Sequence, residues 1–136
     1  MQLGAPVLII DDDPVLAELV QEILHTAGHD TAVAHHAFHG LRLAREIQPS
    51  VVLCDWVMPD MAGSDVLRAL AADPATARIP RVLMTGHAAA DQSCADGFLL
   101  KPFHPQDMLR LLEKMSSLPR VQQRKPFALK AVPWEG

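Results

Sequence analysis

The chain has 136 residues, enough for a single domain with an ordinary hydrophobic core. Its composition, 49% hydrophobic and 21% charged with two cysteines, excludes both a disordered chain and a disulfide-stapled mini-protein. The net charge of −4 gives no general electrostatic reason to bind nucleic acid or an anionic membrane, and nothing resembles a signal peptide or a membrane span, so we expect a cytoplasmic protein.

Five short apolar segments predict the strands of a parallel α/β sheet, because amphipathic stretches separate them. The segments are 6–10, 30–34, 50–54, 81–84 and 97–100. The first, third and fourth are almost continuous runs of aliphatic residues, as expected of strands that are buried on both faces. The second and fifth are weaker, which favours positions at the two edges of the sheet.

Apolar residues at helical spacing predict helices between these strands. The first helix has Asp13 as its N-cap and ends just before Gly28, and the second covers residues 37–47. The third helix starts near a capping Ser64, and the last one opens at Pro105. Helices in this alternation with strands would cover both faces of the sheet.

A change in composition divides the chain into a domain over residues 1–118 and a tail over residues 119–136. The tail contains three prolines and no sustained periodicity, which predicts an extended segment or linker. Its charged residues are mostly basic: Arg120, Arg124, Lys125 and Lys130 against Glu135. Two interpretations remain open, a solvated tail and a basic arm that docks on a partner or leads into an output domain.

Polar residues that are suited to chemistry follow the strand ends. Asp11 and Asp12 follow the first strand, Asp55 the third, Thr85 the fourth and Lys101 the fifth. The carboxyl ends of parallel strands lie at one edge of a sheet, where α/β proteins bind their ligands. The sequence therefore predicts one functional site at this edge.

The chemistry of these residues indicates phosphoryl transfer. In a sheet with the order 2-1-3-4-5, Asp11 and Asp12 lie close to Asp55, and a hard cation such as Mg²⁺ relieves the repulsion among the three carboxylates. Thr85 can donate its hydroxyl to a phosphoryl oxygen, and Lys101 supplies a positive charge. Asp55 is the natural nucleophile, and its attack on phosphorus yields an aspartyl phosphate.

Four segments of the chain resemble the receiver domains of bacterial two-component systems. They are Val-Leu-Ile-Ile-Asp-Asp-Asp-Pro at 7–14, Val-Val-Leu-Cys-Asp-Trp-Val-Met-Pro-Asp-Met-Ala-Gly at 51–63, Val-Leu-Met-Thr-Gly at 82–86 and Phe-Leu-Leu-Lys-Pro-Phe at 98–103. The resemblance covers about residues 5–118. An acid pair after a strand is common, but four such segments in this order at the strand ends are highly specific.

The resemblance implies a fold and a metal site. The fold is a flavodoxin-like, doubly wound, five-stranded parallel sheet in the order 2-1-3-4-5. Asp55 becomes the phosphoacceptor, and Mg²⁺ or Mn²⁺ is held by Asp11, Asp12, Asp55 and the backbone carbonyl of Val57. A cis peptide bond is implied before Pro102.

The resemblance also implies a switch and its partners. Lys101 binds the phosphoryl group, and Thr85 and Phe98 are the switch residues that respond to it. Val57 and His87 occupy positions that tune how fast the phosphoryl group is lost, and the apolar Val57 predicts slow loss because it cannot position water. The donor is a sensor histidine kinase or a histidine phosphotransfer protein, and the domain is a regulatory phosphoacceptor, not an enzyme. Downstream targets stay open.

One segment departs from the family pattern. Between the fourth and fifth strands the family has a full helix, but residues 88–92 leave room for only about two turns. We therefore expect a shortened fourth helix. Gly86, where the family usually has alanine, is expected to loosen this connection further.

Two other functions are compatible with parts of the sequence. A phosphatase of the haloacid-dehalogenase type would use Asp11 as its nucleophile, since Asp11 and Asp13 are spaced as in its motif, but nothing after Lys101 supplies the further acidic pair that it needs. A flavodoxin-like nucleotide binder would need a phosphate loop rich in Ser, Thr and Gly, whereas residues 11–14 are Asp-Asp-Asp-Pro.

Three histidines, a tryptophan and a cysteine could also suggest function, but we interpret them as structural or surface residues. His35, His36 and His39 are expected at the surface and not in a metal site, because no carboxylate or cysteine has a matching spacing. Trp56 is expected to form a partly exposed wall of the site. Cys54 is expected to be a small buried hydrophobic residue.

Overall fold

The structure, a computed structural model, describes residues 4–87, 90 and 92–116. Its elements in chain order are β1 (Val7–Ile10), α1 (Pro14–Thr26), β2 (Thr31–Ala34), α2 (Ala37–Ile47), β3 (Val51–Asp55), α3 (Gly63–Ala72), β4 (Arg81–Thr85), β5 (Gly97–Leu100) and α4 (Pro105–Ser116). The predicted tail over residues 119–136 lies outside the described residues. None of the described helices combines the length and the apolar character needed to cross a bilayer.

The five strands form one parallel sheet in the order β2-β1-β3-β4-β5. This order confirms the predicted fold class, and the two weaker segments are indeed the edge strands. The register sets Ile10 opposite Cys54, so that Asp11 and Asp55, the next residues along, stand side by side. On the other flank of β3, Asp55 lies opposite Met84.

Helices pack on both faces of the sheet. One core cluster joins alternate residues of β1, β3 and β4 to α1 and α4, and the other joins the remaining residues of these strands to α2 and α3. Every residue of β1, β3 and β4 is buried, as their aliphatic runs predict. The buried sheet therefore fixes the positions of the side chains that follow the strands at its carboxyl edge.

The residues at which the helices begin agree only partly with those predicted from the sequence. Asp13 caps α1 as predicted, since its Oδ1 accepts from the N–H groups of Val15 at 3.0 Å and Leu16 at 3.3 Å. The predicted cap Ser64 is wrong. Helix α3 begins at Gly63 after Ala62, which makes no side-chain cap hydrogen bond.

The tight turn before α3 explains that early start. The Gly63 N–H donates to the Trp56 carbonyl at 2.7 Å, and a Cβ at position 63 would overlap the Asp55 carbonyl oxygen. Only glycine fits this close approach of two backbone segments. Packing, and not a capping side chain, therefore sets the first residue of α3.

The connection between β4 and β5 spans residues 86–96. Its described residues, 86, 87, 90 and 92–96, form a turn at 93–94 and otherwise bends and irregular backbone. The predicted two helical turns fall on residues 88–92, of which 88, 89 and 91 lie outside the described part. Ala90, Cys94 and Ala95 are buried in the core cluster on the α2 and α3 face.

A fully buried arginine holds the end of this connection. The Arg81 side chain donates from Nε to the carbonyl of Cys94 at 3.0 Å, and from Nη1 to the carbonyls of Ala77 at 2.9 Å and Ile79 at 3.1 Å. Its backbone N–H donates to Asp96 Oδ2 at 2.8 Å. Arg81 thus joins the turn before β4 to the turn before β5, a role that the apolar pattern of this strand did not indicate.

Candidate functional site

Three carboxylates meet at the carboxyl edge of the sheet. Asp11, Asp12 and Asp55 each offer an oxygen atom, and these oxygens lie within 4.8 Å of one another. Asp11 and Asp55 are buried, whereas Asp12 is exposed. The structure therefore brings together the three acids that the sequence placed in one site.

The environment of Asp11 disfavours its charged form. Burial is the main cause and the nearby charge of Asp55 adds to it, so that the pKa of Asp11 rises from 3.8 to about 6. The N–H of Asp13 donates to Asp11 Oδ1 at 2.9 Å and partly offsets the rise. The other oxygen, Oδ2, is buried and has no hydrogen-bond partner among the described residues.

The donor set of this site fits a divalent cation. It consists of carboxylate oxygens, which Mg²⁺ and Mn²⁺ prefer. Asp11 Oδ2 is buried with no partner in the described part of the chain, and such an oxygen is costly unless a positive group approaches it. A cation at the site would satisfy that oxygen and reduce the repulsion among Asp11, Asp12 and Asp55.

Lys101 provides a positive charge next to the Asp55 carboxylate. Its Nζ lies 2.8 Å from Asp55 Oδ1, and both side chains are largely buried. The backbone N–H of Lys101 donates to the Thr85 carbonyl at 2.7 Å, which fixes the end of β5 against β4. The peptide bond to Pro102 is cis, as the resemblance implied.

Thr85 lies at the end of β4 with its side chain buried. Its hydroxyl oxygen accepts a hydrogen bond from the N–H of His87 at 3.0 Å. The His87 ring contacts Trp56 edge to face, with 5.2 Å between the ring centroids. Phe98 on the neighbouring strand is half-buried against the core. The switch roles of Thr85 and Phe98 stay predictions.

The loop over residues 56–62 forms another wall of the site. The Trp56 side chain is half-buried, in agreement with its predicted place at the rim. The Val57 side chain is 62% exposed, so an apolar group faces solvent beside the carboxylates. The Trp56 N–H donates to the Met84 carbonyl at 3.0 Å, which holds the start of the loop against β4.

Cys54, the residue before Asp55, is fully buried as predicted. Burial raises the pKa of its thiol well above the usual value, and the charges of Asp55 and Asp11 act in the same direction. Its Sγ lies 3.4 Å from the Asp55 carbonyl oxygen. The thiol is therefore a neutral packing group beneath the site.

Sequence reasoning missed two contacts in the surroundings of the site. His35 is exposed, but its Nδ1 lies 3.0 Å from the carbonyl oxygen of Asp11. Asp60 reaches from the loop 56–62 to the start of α2. His35 and His36 are exposed, as predicted, whereas His39 is half-buried.

Comparisons with known proteins match most of the described chain. The family model described as response regulator receiver domain matches residues 7–113. The DNA-binding response regulator MtrA of Mycolicibacterium smegmatis is 38% identical over 109 residues, which cover 76% of this chain and 46% of that protein. The chain thus spans about half the length of the curated relatives it matches.

Solved structures show the same fold. The signal receiver domain of a histidine kinase from Syntrophus aciditrophicus has a TM-score of 0.80 and 25% identity, covering 90% of this chain and 98% of that one. The receiver domain of a sensor histidine kinase from Pseudomonas aeruginosa has a TM-score of 0.78 and 21% identity, covering 85% and 100%. That second structure contains a magnesium ion coordinated in its active site cleft.

Proposed function

This chain belongs to the response regulator receiver family, and from that membership we propose that Asp55 is the residue that accepts the phosphoryl group. The family match supports phosphoacceptor signalling by a regulatory domain and not the phosphatase of the haloacid-dehalogenase type. The observation that carries the proposal is the position of Asp55 between two acids and a lysine: its carboxylate is within 4.8 Å of Asp11 and Asp12 oxygens and 2.8 Å from Lys101 Nζ.

The proposed reaction is a displacement at phosphorus. A carboxylate oxygen of Asp55 forms the new O–P bond, while the bond from phosphorus to the donor's oxygen or nitrogen breaks and its electron pair leaves with the donor. The Lys101 ammonium, already beside Asp55, balances the negative charge of the incoming phosphoryl oxygens. Water reverses the modification by attacking phosphorus, which releases inorganic phosphate and restores the carboxylate.

We assign the metal site to Asp11, Asp12, Asp55 and the backbone carbonyl of Val57. A bound Mg²⁺ or Mn²⁺ would supply positive charge to the phosphoryl oxygens. Asp11 Oδ2 supports this assignment, because it is a buried acceptor that no described residue satisfies. Ionised Asp11 is the form that binds a cation, so its raised pKa predicts weaker binding below about pH 6.

The switch would start at Thr85. Its hydroxyl now accepts from the His87 N–H, and a phosphoryl group on Asp55 offers strong acceptors for the hydroxyl hydrogen. Movement of Thr85 toward that group would open space that the half-buried Phe98 can fill. The surface formed by β4, β5 and α4 would then differ between the two states, which is what a partner can recognise.

The donor in this proposal is a sensor histidine kinase or a histidine phosphotransfer protein in the cytoplasm. Residues 1–118 would form the receiver and residues 119–136 its tail or linker. Acidic residues dominate the receiver, so we do not expect this domain itself to bind nucleic acid. DNA binding is a property of the relative MtrA, half of whose length this chain matches.

Intact-mass spectrometry with acetyl phosphate and Mg²⁺ tests the assignment. We expect one phosphoryl group to be added to the native chain and none to Asp55→Asn. Asp107→Asn, which removes an exposed carboxylate on α4, is the matched control and should be labelled like the native chain. Labelling of Asp55→Asn to the native extent would refute the role of Asp55.

A further inference from the structure

Helix α2 receives its N-terminal cap from a distant loop. Its own N-cap residue, His36, makes no side-chain capping hydrogen bond. Instead the Asp60 carboxylate accepts from two N–H groups of the first turn, that of Ala37 at 3.1 Å on Oδ1 and that of Phe38 at 3.2 Å on Oδ2. Every helix leaves such N–H groups without intrahelical partners. Asp60 thus joins the loop 56–62 to α2.

The hydrogen bonds make this contact specific to the ionised carboxylate. Desolvation acts to raise the pKa of Asp60, but the N–H groups of Ala37 and Phe38, together with the nearby His36, outweigh it and lower the pKa. The positive end of the α2 dipole favours the same charge. Asp60 is therefore a charged cap at neutral pH.

The rest of the loop is attached by backbone hydrogen bonds at its base and by apolar packing. At its base, the Trp56 N–H donates to the Met84 carbonyl and the Gly63 N–H donates to the Trp56 carbonyl. Met58 is buried at 7% exposure, whereas its neighbours Val57 and Pro59 are exposed. Among the described contacts, the Asp60 carboxylate makes the side-chain hydrogen bonds that join the outer half of the loop to α2, while Met58 and Met61 pack against the core cluster on the α2 and α3 face.

We propose that Asp60 is a positioning residue for the cation site, because it docks the loop 56–62 onto α2 and so holds the Val57 carbonyl in place. This inference rests on the metal site of the proposed function. A ligand must be held to within about 0.5 Å for productive coordination. Loss of an outer support for a ligand typically lowers metal affinity by about 10- to 100-fold.

The test measures Mg²⁺ affinity in the full chain by titrating the fluorescence of Trp56, with Trp134→Phe as the common background. Asp60→Ala removes both acceptors and should weaken Mg²⁺ binding about tenfold. Asp60→Asn loses the same charge but keeps one amide oxygen that can accept an N–H, so it should weaken binding only about threefold. Because both variants lose the same charge, a difference between their Mg²⁺ affinities reports the loss of the hydrogen bonds that position the loop.

A variant that weakens α2 elsewhere provides the structural control. Arg42 lies on the exposed side of α2 and pairs with Glu46, and Arg42→Gly should lower the urea midpoint without changing Mg²⁺ affinity. Equal Mg²⁺ affinity in Asp60→Ala and the background would overturn the inference, and so would equal weakening in Asp60→Ala and Asp60→Asn. Absence of Mg²⁺ binding in the background protein would instead overturn the proposed function.

Discussion

Replacing Asp11 with asparagine should stabilise the metal-free protein while removing a ligand of the proposed cation site. In the native chain, Asp11 is fully buried beside Asp55, and its pKa is raised from 3.8 to about 6. Asparagine keeps an oxygen that can accept from the Asp13 N–H, the bond that Asp11 Oδ1 makes at 2.9 Å. The substitution therefore removes the buried charge and retains the local hydrogen bond.

The size of the effect follows from the raised pKa. Each pKa unit corresponds to about 1.4 kcal/mol, so ionising Asp11 in the folded state costs about 3 kcal/mol relative to the unfolded chain. Because the folded state holds this proton more tightly, the penalty is absent below about pH 3, reaches roughly half its full value at pH 5, and is complete above about pH 7. In EDTA at pH 8, we expect Asp11→Asn to raise the free energy of unfolding by about 1–3 kcal/mol, since the amide has its own desolvation cost.

Urea unfolding in EDTA at pH 5 and pH 8 measures this difference. Asp12→Asn removes a neighbouring charge at an exposed position and should give a smaller gain. Saturating Mg²⁺ should stabilise the native chain and not Asp11→Asn, because a ligand that binds only the folded state stabilises it by mass action. If Asp11→Asn is less stable than the native chain at pH 8 in EDTA, or gains equally at both pH values, the reasoning is refuted.

Two further predictions concern residues outside the acid cluster. Arg81→Met leaves the carbonyls of Ala77, Ile79 and Cys94 without their donor and should lower the free energy of unfolding by about 3 kcal/mol or more; a loss below about 1 kcal/mol by urea denaturation would contradict the role of this side chain. The exposed, apolar Val57 predicts slow loss of the phosphoryl group, and Val57→Gln, whose amide can orient water, should shorten the lifetime of the phosphorylated form several-fold. A native lifetime of seconds, measured by intact mass over time, would argue against this.

Elements with a strong local pattern could be predicted from the sequence. Each strand lies within one residue of its predicted bounds, because the aliphatic runs directly reflect burial on both faces. The cap Asp13 was also predictable, since its partners Val15 and Leu16 are two and three residues away. The acid cluster followed from the strand ends once the sheet order was assumed.

Contacts between distant segments could not be predicted in this way. Arg81 stands at the start of an apolar strand, where a charged residue is usually solvated, and its acceptors are backbone carbonyls that have no signature in the sequence. Asp60 caps a helix that begins 23 residues before it, whereas capping rules consider only neighbouring residues. Ser64 misled the prediction for the same reason, because the approach of Gly63 to Asp55 decides where α3 begins.

Because the crossover from β4 to β5 is short, deletions in it should be far more harmful than insertions. Its eleven residues are near the minimum for linking parallel neighbours, and the strand β5 that follows is tied to β4 at both ends, since Asp96 accepts from the Arg81 N–H and the Lys101 N–H donates to the Thr85 carbonyl. A deletion would pull β5 out of register and turn the lysine away from its carboxylate partner. An insertion adds only a slowly growing closure entropy, about 0.6 kcal/mol for each doubling of length. We therefore expect this crossover to tolerate insertions better than deletions, because a deletion would separate Lys101 from Asp55.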